Sequence, residues 1–190
     1  MESKKFDPGK LAKLNDPARL EYLNPDLIWE TVNAGNPGTV VDIGAGTGVF
    51  AVLFRRKMTG GMMYACDVSD IMVAWMKDNL PPELRDSVVP VKMEESSVPL
   101  PDGAADLVYM INLHHELDEP ERILDESYRL LRAGGRLAVI DWKKEEMSEG
   151  PPLSIRVTGE TIEGQMRAAG FRQVEDHPVL AFHSFVTGTK

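Results

Sequence analysis

Cysteine is all but absent. Cys66 stands alone among 190 residues, which excludes an internal disulfide or a thiolate metal cage and fits a reducing compartment. No His-x-x-x-His or Cys-x-x-Cys spacing occurs either, so no metal site is expected. No run of about 18 apolar residues exists to span a membrane. The Met1–Pro8 stretch lacks the apolar segment of a secretory leader. A soluble, cytoplasmic protein is therefore the expectation. Positive charge is scarce as well: 21 basic residues face 30 acidic ones, for a net charge of −9. The longest basic cluster is Arg55-Arg56-Lys57. Nucleic acid, whose phosphates need a basic face, is thus a poor partner. Repeats, linkers and low-complexity segments are missing too. One domain over residues 1–190 follows, and its 43% hydrophobic content suffices for a real core.

What is present centres on Val40-Val41-Asp42-Ile43-Gly44-Ala45-Gly46-Thr47-Gly48-Val49-Phe50. A β-branched run ends in a glycine-rich turn, and apolar residues at helical spacing follow. That order is strand, turn, helix, the opening unit of a doubly wound α/β sheet. Glycines let the backbone approach a ligand that Cβ atoms would exclude. A dinucleotide fingerprint, G-x-G-x-x-G, would need its third glycine where Val49 stands. The run instead resembles motif I, D-x-G-x-G-x-G, of the class I S-adenosylmethionine-dependent methyltransferases. A glycine-rich turn without any ligand is the bland alternative.

The second strand, Met62 to Val68, ends in Asp67, where a carboxylate can accept from both hydroxyls of a ribose. A nicotinamide-dependent oxidoreductase would use the same device, so Asp67 points to an adenosine-type cofactor without naming it. Ser69-Asp70 opens a helix with Ile71, Met72, Trp75 and Met76 on one face, ended by Leu80-Pro81-Pro82. Val88–Val91 makes a third strand. The segment from Glu94-Glu95 to Leu100-Pro101-Asp102-Gly103 resembles the same family's passage into its fourth strand, here Ala105 to Asn112. After Asn112-Leu113-His114-His115-Glu116, the run from Pro120 to Asp141 is similar to the type 11 methyltransferases, a group that includes quinone-biosynthesis C-methyltransferases. Arg132-Ala133-Gly134-Gly135 reads as the basic, glycine-stopped end of a helix, and Arg136–Asp141 as the fifth strand.

Around this core, Asn15-Asp16-Pro17 and Asn24-Pro25-Asp26 predict short helices over about 17–23 and 25–34. Tyr22, Leu23 and Trp29 there either line a pocket or dock the helices on the sheet. Residues 143–152 form a polar loop at the sheet's carboxyl end. Thr158 caps a last helix that stops at Gly170, and Phe171–Glu175 with His183–Thr187 close the sheet as a hairpin.

The resemblance implies a Rossmann-like, mostly parallel seven-stranded sheet with an antiparallel C-terminal strand. Residues 1–38 would be a helical cap, 39–142 the cofactor core, and 143–190 the substrate-side loop, helix and hairpin. S-adenosylmethionine would be the cofactor, held by Asp42, Gly44, Ala45, Gly46, Asp67, Val68, Met72, Glu94, Glu95, Asn112 and Leu113. A small-molecule methyl acceptor is the expected partner, with a homodimer left open. His114, His115, Glu116 and Asp141 are base candidates by position, although packed histidines explain the pair equally well. A cofactor-binding sensor or subunit without catalysis would keep the same turn and Asp67. A nicotinamide enzyme has no use for the Glu94 segment.

Overall fold

A computed structural model describes residues 11–190. The first ten residues of the expected helical cap, Met1–Pro8 among them, lie outside the described residues. One seven-stranded sheet organises the rest, in the order β3-β2-β1-β4-β5-β7-β6. Its strands are β1 (Thr39–Ile43), β2 (Met62–Asp67), β3 (Val88–Lys92), β4 (Ala105–Ile111), β5 (Leu131–Trp142), β6 (Arg172–Asp176) and β7 (His183–Thr189). The first five run parallel, and β7 lies antiparallel between β5 and β6. The strand order reverses between β1 and β4, which opens a crevice at their carboxyl ends.

Helices cover both faces, so the central strands are nearly continuous apolar runs. Val40, Leu107, Tyr109, Ala138, Ile140 and Phe185 face one layer, together with Phe54 of α4 (Val49–Arg55). Val41, Val108, Leu137, Val139 and Val186 face the other, with Ile123 of α6 (Pro120–Leu130) and Ile162 of α7 (Gly159–Ala168). The two-residue alternation of a strand separates the layers. Phe54 meets Tyr109 edge-on at 5.1 Å, and truncating so buried a ring costs about 3–5 kcal/mol.

Local sequence sets the helix starts. In α3 (Pro25–Val32), the Asn24 side chain accepts from the amides of Asp26 and Leu27 at 2.9 and 3.2 Å, with Pro25 in the first turn. Ser69 caps α5 (Asp70–Asn79) and Thr158 caps α7 in the same way. The expected helix over 17–23 is shorter, the four-residue α2 (Arg19–Tyr22), and a four-residue helix outside the expectation, α1 (Leu11–Leu14), precedes it. Asp16 caps a turn, accepting from the Ala18 amide, rather than a helix. Leu23 and Trp29 dock: Leu23 is fully buried and Trp29 packs on Phe54.

Two sequence expectations are corrected. Ile71 is 55% exposed, and Val73 takes the inward place beside Met72 and Met76. Helix α6 ends at Leu130, not at the glycines: Leu131 is fully buried, and drawing it into the core turns the chain extended there. Arg132–Gly135 therefore belong to β5, with Gly134 at φ +76 donating to the Lys190 carbonyl. At the other end β5 runs on through Trp142.

Candidate active site

The glycine turn joins β1 to α4, and Gly44, Gly46 and Gly48 all take positive φ, +74, +57 and +77. That left-handed geometry is open to glycine at little steric cost. The amides of Gly44 and Ala45 both donate to the Cys66 carbonyl, at 2.9 and 3.0 Å, which pins the turn to β2. The Gly46 amide donates to Asp67 Oδ2 and the Ser69 amide to Asp67 Oδ1, each at 2.8 Å. Burial raises the Asp67 carboxyl above its ordinary value, against the pull of those two amides and Lys92. A Cβ on Gly44 would lie 2.8 Å from the Leu113 side chain, and one on Gly46 would lie 3.1 Å from Leu14.

The other expected cofactor residues divide into two groups. Met93 donates from its amide to the Asp67 carbonyl, and so hangs the Glu94–Ser97 turn beside the end of β2. Glu94 and Glu95 are exposed there, and Val68 is 40% exposed on the same rim. Met72, by contrast, is buried under the Ser69 cap. Asp42 also turns inward: its Oδ2 accepts from the Tyr109 hydroxyl at 2.9 Å, and burial pushes its carboxyl up to about 8. At the end of β4, Asn112 has φ +57 and donates from its amide to the Ile140 carbonyl. Its buried Oδ1 has no hydrogen-bond partner among the described residues. A left-handed cradle, a braced carboxylate and an unpaired amide oxygen thus converge on the β1–β4 crevice. That donor and acceptor set fits an adenosine ligand with a charged amino-acid tail.

His114 and His115 lie in a short 3-10 turn, His114–Glu116, and both are buried. They part there. His114 Nε2 meets Gln165 Oε1 of α7 at 2.8 Å, and Gln165 in turn donates to Glu121. Burial lowers His114 despite the Gln165 bond. His115 turns to β5: its Nδ1 lies 2.7 Å from Asp141 Oδ1, and its amide donates to Asp141 Oδ2 at 2.9 Å. The Trp142 amide donates to Asp141 Oδ1 as well. A carboxylate only accepts, so Nδ1 carries the proton and Nε2 the lone pair. Burial works to lower His115, but the Asp141 hydrogen bond and charge outweigh it and raise the ring. Such a pair has the geometry of a base with an orienting carboxylate, and Glu116 Oε1 lies 3.8 Å from Nε2.

Two residues escaped the sequence reading. Arg156 is 5% exposed and donates to the carbonyls of Pro151, Glu149 and Glu145 at 2.7, 2.8 and 3.0 Å, and to that of Lys143 at 3.5 Å. It folds the 143–151 loop about one guanidinium, and a lone arginine after a polar loop gave no signal of this. His183 opens β7 opposite Trp142, fully buried, between the rings of Trp142 and Tyr22. Nothing in the sequence distinguishes it from a packed histidine.

Comparison with known proteins follows the same lines. Residues 41–139, just over half of the chain, match the family model described as Methyltransferase domain, of type 11. A solved structure of a SAM dependent methyltransferase from Aquifex aeolicus is 33% identical, with a TM-score of 0.91, covering 97% of this chain and 99% of that one. The malonyl-[acyl-carrier protein] O-methyltransferase of Methylococcus capsulatus is 26% identical over 148 residues, 73% of this chain and 53% of its own. The ubiquinone/menaquinone biosynthesis C-methyltransferase UbiE of Marinomonas sp. is 31% identical over 117 residues, 60% of this chain and 46% of its own. The chain spans about half the length of these curated relatives.

Proposed function

Because this chain belongs to the S-adenosylmethionine-dependent methyltransferases of type 11, we propose that it binds S-adenosylmethionine in the β1–β4 crevice and methylates a small-molecule acceptor, within a single domain. The observation that carries this reading is the Gly44–Gly48 cradle with Asp67 already braced by the Gly46 and Ser69 amides. Gly44, Ala45 and Gly46 would hold the amino-acid part and Asp67 the ribose. Val68, Glu94 and Glu95 would border the adenine. Asn112 would offer its unpaired oxygen, and Leu113 would close the wall against Gly44. Asp42 and Met72 support this cradle from beneath rather than touch the ligand. The bound cofactor supplies an electrophilic methyl group on a sulfonium that departs as a neutral thioether.

The protein's own part is to orient the acceptor in line, exclude water and take a proton. His115 Nε2 accepts that proton, while Asp141 fixes the tautomer and balances the imidazolium. Since Asp141 holds His115 above its ordinary value of about 6.5, turnover rises with pH until the ring is neutral. His114, tied to Gln165, pins the turn to α7 instead. Acceptors as different as those named for the two curated relatives fit a shared cofactor half with a variable acceptor half.

The test is calorimetric titration with S-adenosylmethionine, S-adenosylhomocysteine and NAD, on the wild type and on Asp67→Ala. Micromolar binding of both sulfur nucleotides and none of NAD is expected. The substitution should weaken binding by about 1–3 kcal/mol, the worth of charged hydrogen bonds. Binding of NAD alone, or unchanged affinity in the variant, would overturn the reading.

A further inference from the structure

An amino-acid tail carries a carboxylate, and the glycine turn has few donors left for it. The amides of Gly44 and Ala45 are spent on the Cys66 carbonyl, that of Gly46 on Asp67, and that of Gly48 on the Ala45 carbonyl. The surrounding charge is of the wrong sign as well. Asp67 is braced against the turn, and Glu94 and Glu95 stand exposed on the rim. A carboxylate entering there needs a cation beside it, because an anion taken out of water without a partner is costly.

Arg19, which opens α2, is placed to be that cation. It is half-buried, and its Nη1 donates to the Leu14 carbonyl at 2.5 Å. Leu14 is the residue that lies over the turn: its side chain is what a Cβ on Gly46 would meet, at 3.1 Å. The guanidinium also sits over the Phe50 ring, 5.8 Å from its centre. Phe50 belongs to the first turn of α4, the helix that Gly48 caps. The cation is thus tied on one side to the cover of Gly46 and on the other to the helix that the turn opens. A guanidinium has five N–H donors, and Arg19 makes no ion pair among the described residues. Asp16, the acid that acts on it, spends an oxygen on the Ala18 amide. Burial lowers Arg19 from its ordinary value, against the pull of Tyr22 and Asp16. A desolvated guanidinium without an anion complements a carboxylate that arrives without a cation.

We propose that Arg19 binds the carboxylate of the cofactor's amino-acid tail, and that the site thereby selects adenosine ligands that carry this group over those that lack it. The glycine turn gives the tail its room, and the arginine gives it a counter-charge. A guanidinium paired with a carboxylate through two parallel bonds also fixes the tail's direction, which a lone charge would not. The inference rests on the S-adenosylmethionine reading and names the contact for one part of that ligand.

Three ligands separate the parts. They are S-adenosylhomocysteine, its decarboxylated analogue S-adenosylthiopropylamine, which keeps the amine, and methylthioadenosine, which lacks both charged groups. Each is titrated by calorimetry into the wild type, Arg19→Gln and Leu14→Ala. In the wild type, S-adenosylhomocysteine should bind at least about tenfold more tightly than the decarboxylated analogue, the worth of a charged hydrogen bond. Arg19→Gln should weaken S-adenosylhomocysteine by that factor and leave the other two within about twofold, so that the gap closes. Leu14→Ala keeps both the carbonyl and the cation, and should keep the gap. Equal binding of the first two ligands by the wild type overturns the inference without recourse to any variant. So does an undiminished gap in Arg19→Gln, or a gap lost in Leu14→Ala. Equal weakening of all three ligands in Arg19→Gln would limit Arg19 to holding Leu14 in place, and overturns it too. If none of the three binds the wild type, the cofactor reading falls and the inference with it; if all bind without a gap, the inference falls alone.

Discussion

On the β1–β2 side of the crevice, the proposed cofactor wall is shaped by main-chain geometry; on the β4–β5–β7 side, the proposed acceptor wall is made of side chains. The first side is a glycine turn whose Gly44 and Ala45 amides hold the Cys66 carbonyl and whose Gly46 amide braces one carboxylate, Asp67. The second sets out His115 with Asp141, and His183 with Trp142, and leaves its loop to a single arginine. A ligand common to many enzymes can be held by backbone geometry, which tolerates change in most side chains. A ligand particular to one enzyme has to be read by side chains, which change one at a time.

The comparison can be broken most sharply at Gly46. Gly46→Val places a β-branched residue at φ +57 against Leu14 and fills the cradle. It should abolish S-adenosylmethionine binding, by more than about a hundredfold in calorimetry, while circular dichroism still reports a folded sheet. Ordinary binding would move the cofactor away from the main-chain side altogether.

Arg156→Ala acts on the other side. Freed carbonyls should let the 143–151 loop open, so that trypsin cuts at Lys143 and Lys144. The melting temperature should fall by on the order of 5 °C. S-adenosylhomocysteine affinity should stay as it was. A matching loss of cofactor binding would show that the two sides are not separable.

The smallest effect sharpens the placing of Asp42. Its carboxyl is held at about 8 by burial, so the folded chain keeps a proton that the unfolded chain releases above about pH 4. Stability therefore falls as pH rises from about 4 to about 8, and flattens beyond. Asp42→Asn removes that slope. The two proteins should melt together near pH 4, and the variant several degrees higher at pH 8. Parallel melting curves across that range would mean that Asp42 ionises freely and faces the crevice.

What was legible in the sequence follows the same division. The glycine turn, Asp67, and the Ser69 and Thr158 caps depend on residues close together in the chain, so a short run of letters encodes them. His115 and Asp141 were candidates by position, but their pairing joins residues 26 apart and needed the register of β4 against β5. Arg156 and His183 act through what surrounds them, carbonyls in one case and unpaired nitrogens in the other, and composition records neither. Leu131 shows the limit of local signals: a glycine pair suggested the helix end, but tertiary burial of one leucine moved it.

The way Arg156 holds its loop bears on how such an enzyme could acquire a new acceptor. All four of its loop bonds end on carbonyl oxygens, which every residue possesses. Glu145, Glu146 and Ser148 are exposed, and the arginine grips none of their side chains. Gly150 is the exception, because a Cβ there would strike the Trp142 ring at 2.8 Å. The loop's shape is in this way uncoupled from most of its letters. Mutational drift can rewrite its chemistry while the anchor, and the cradle across the crevice, stay as they are.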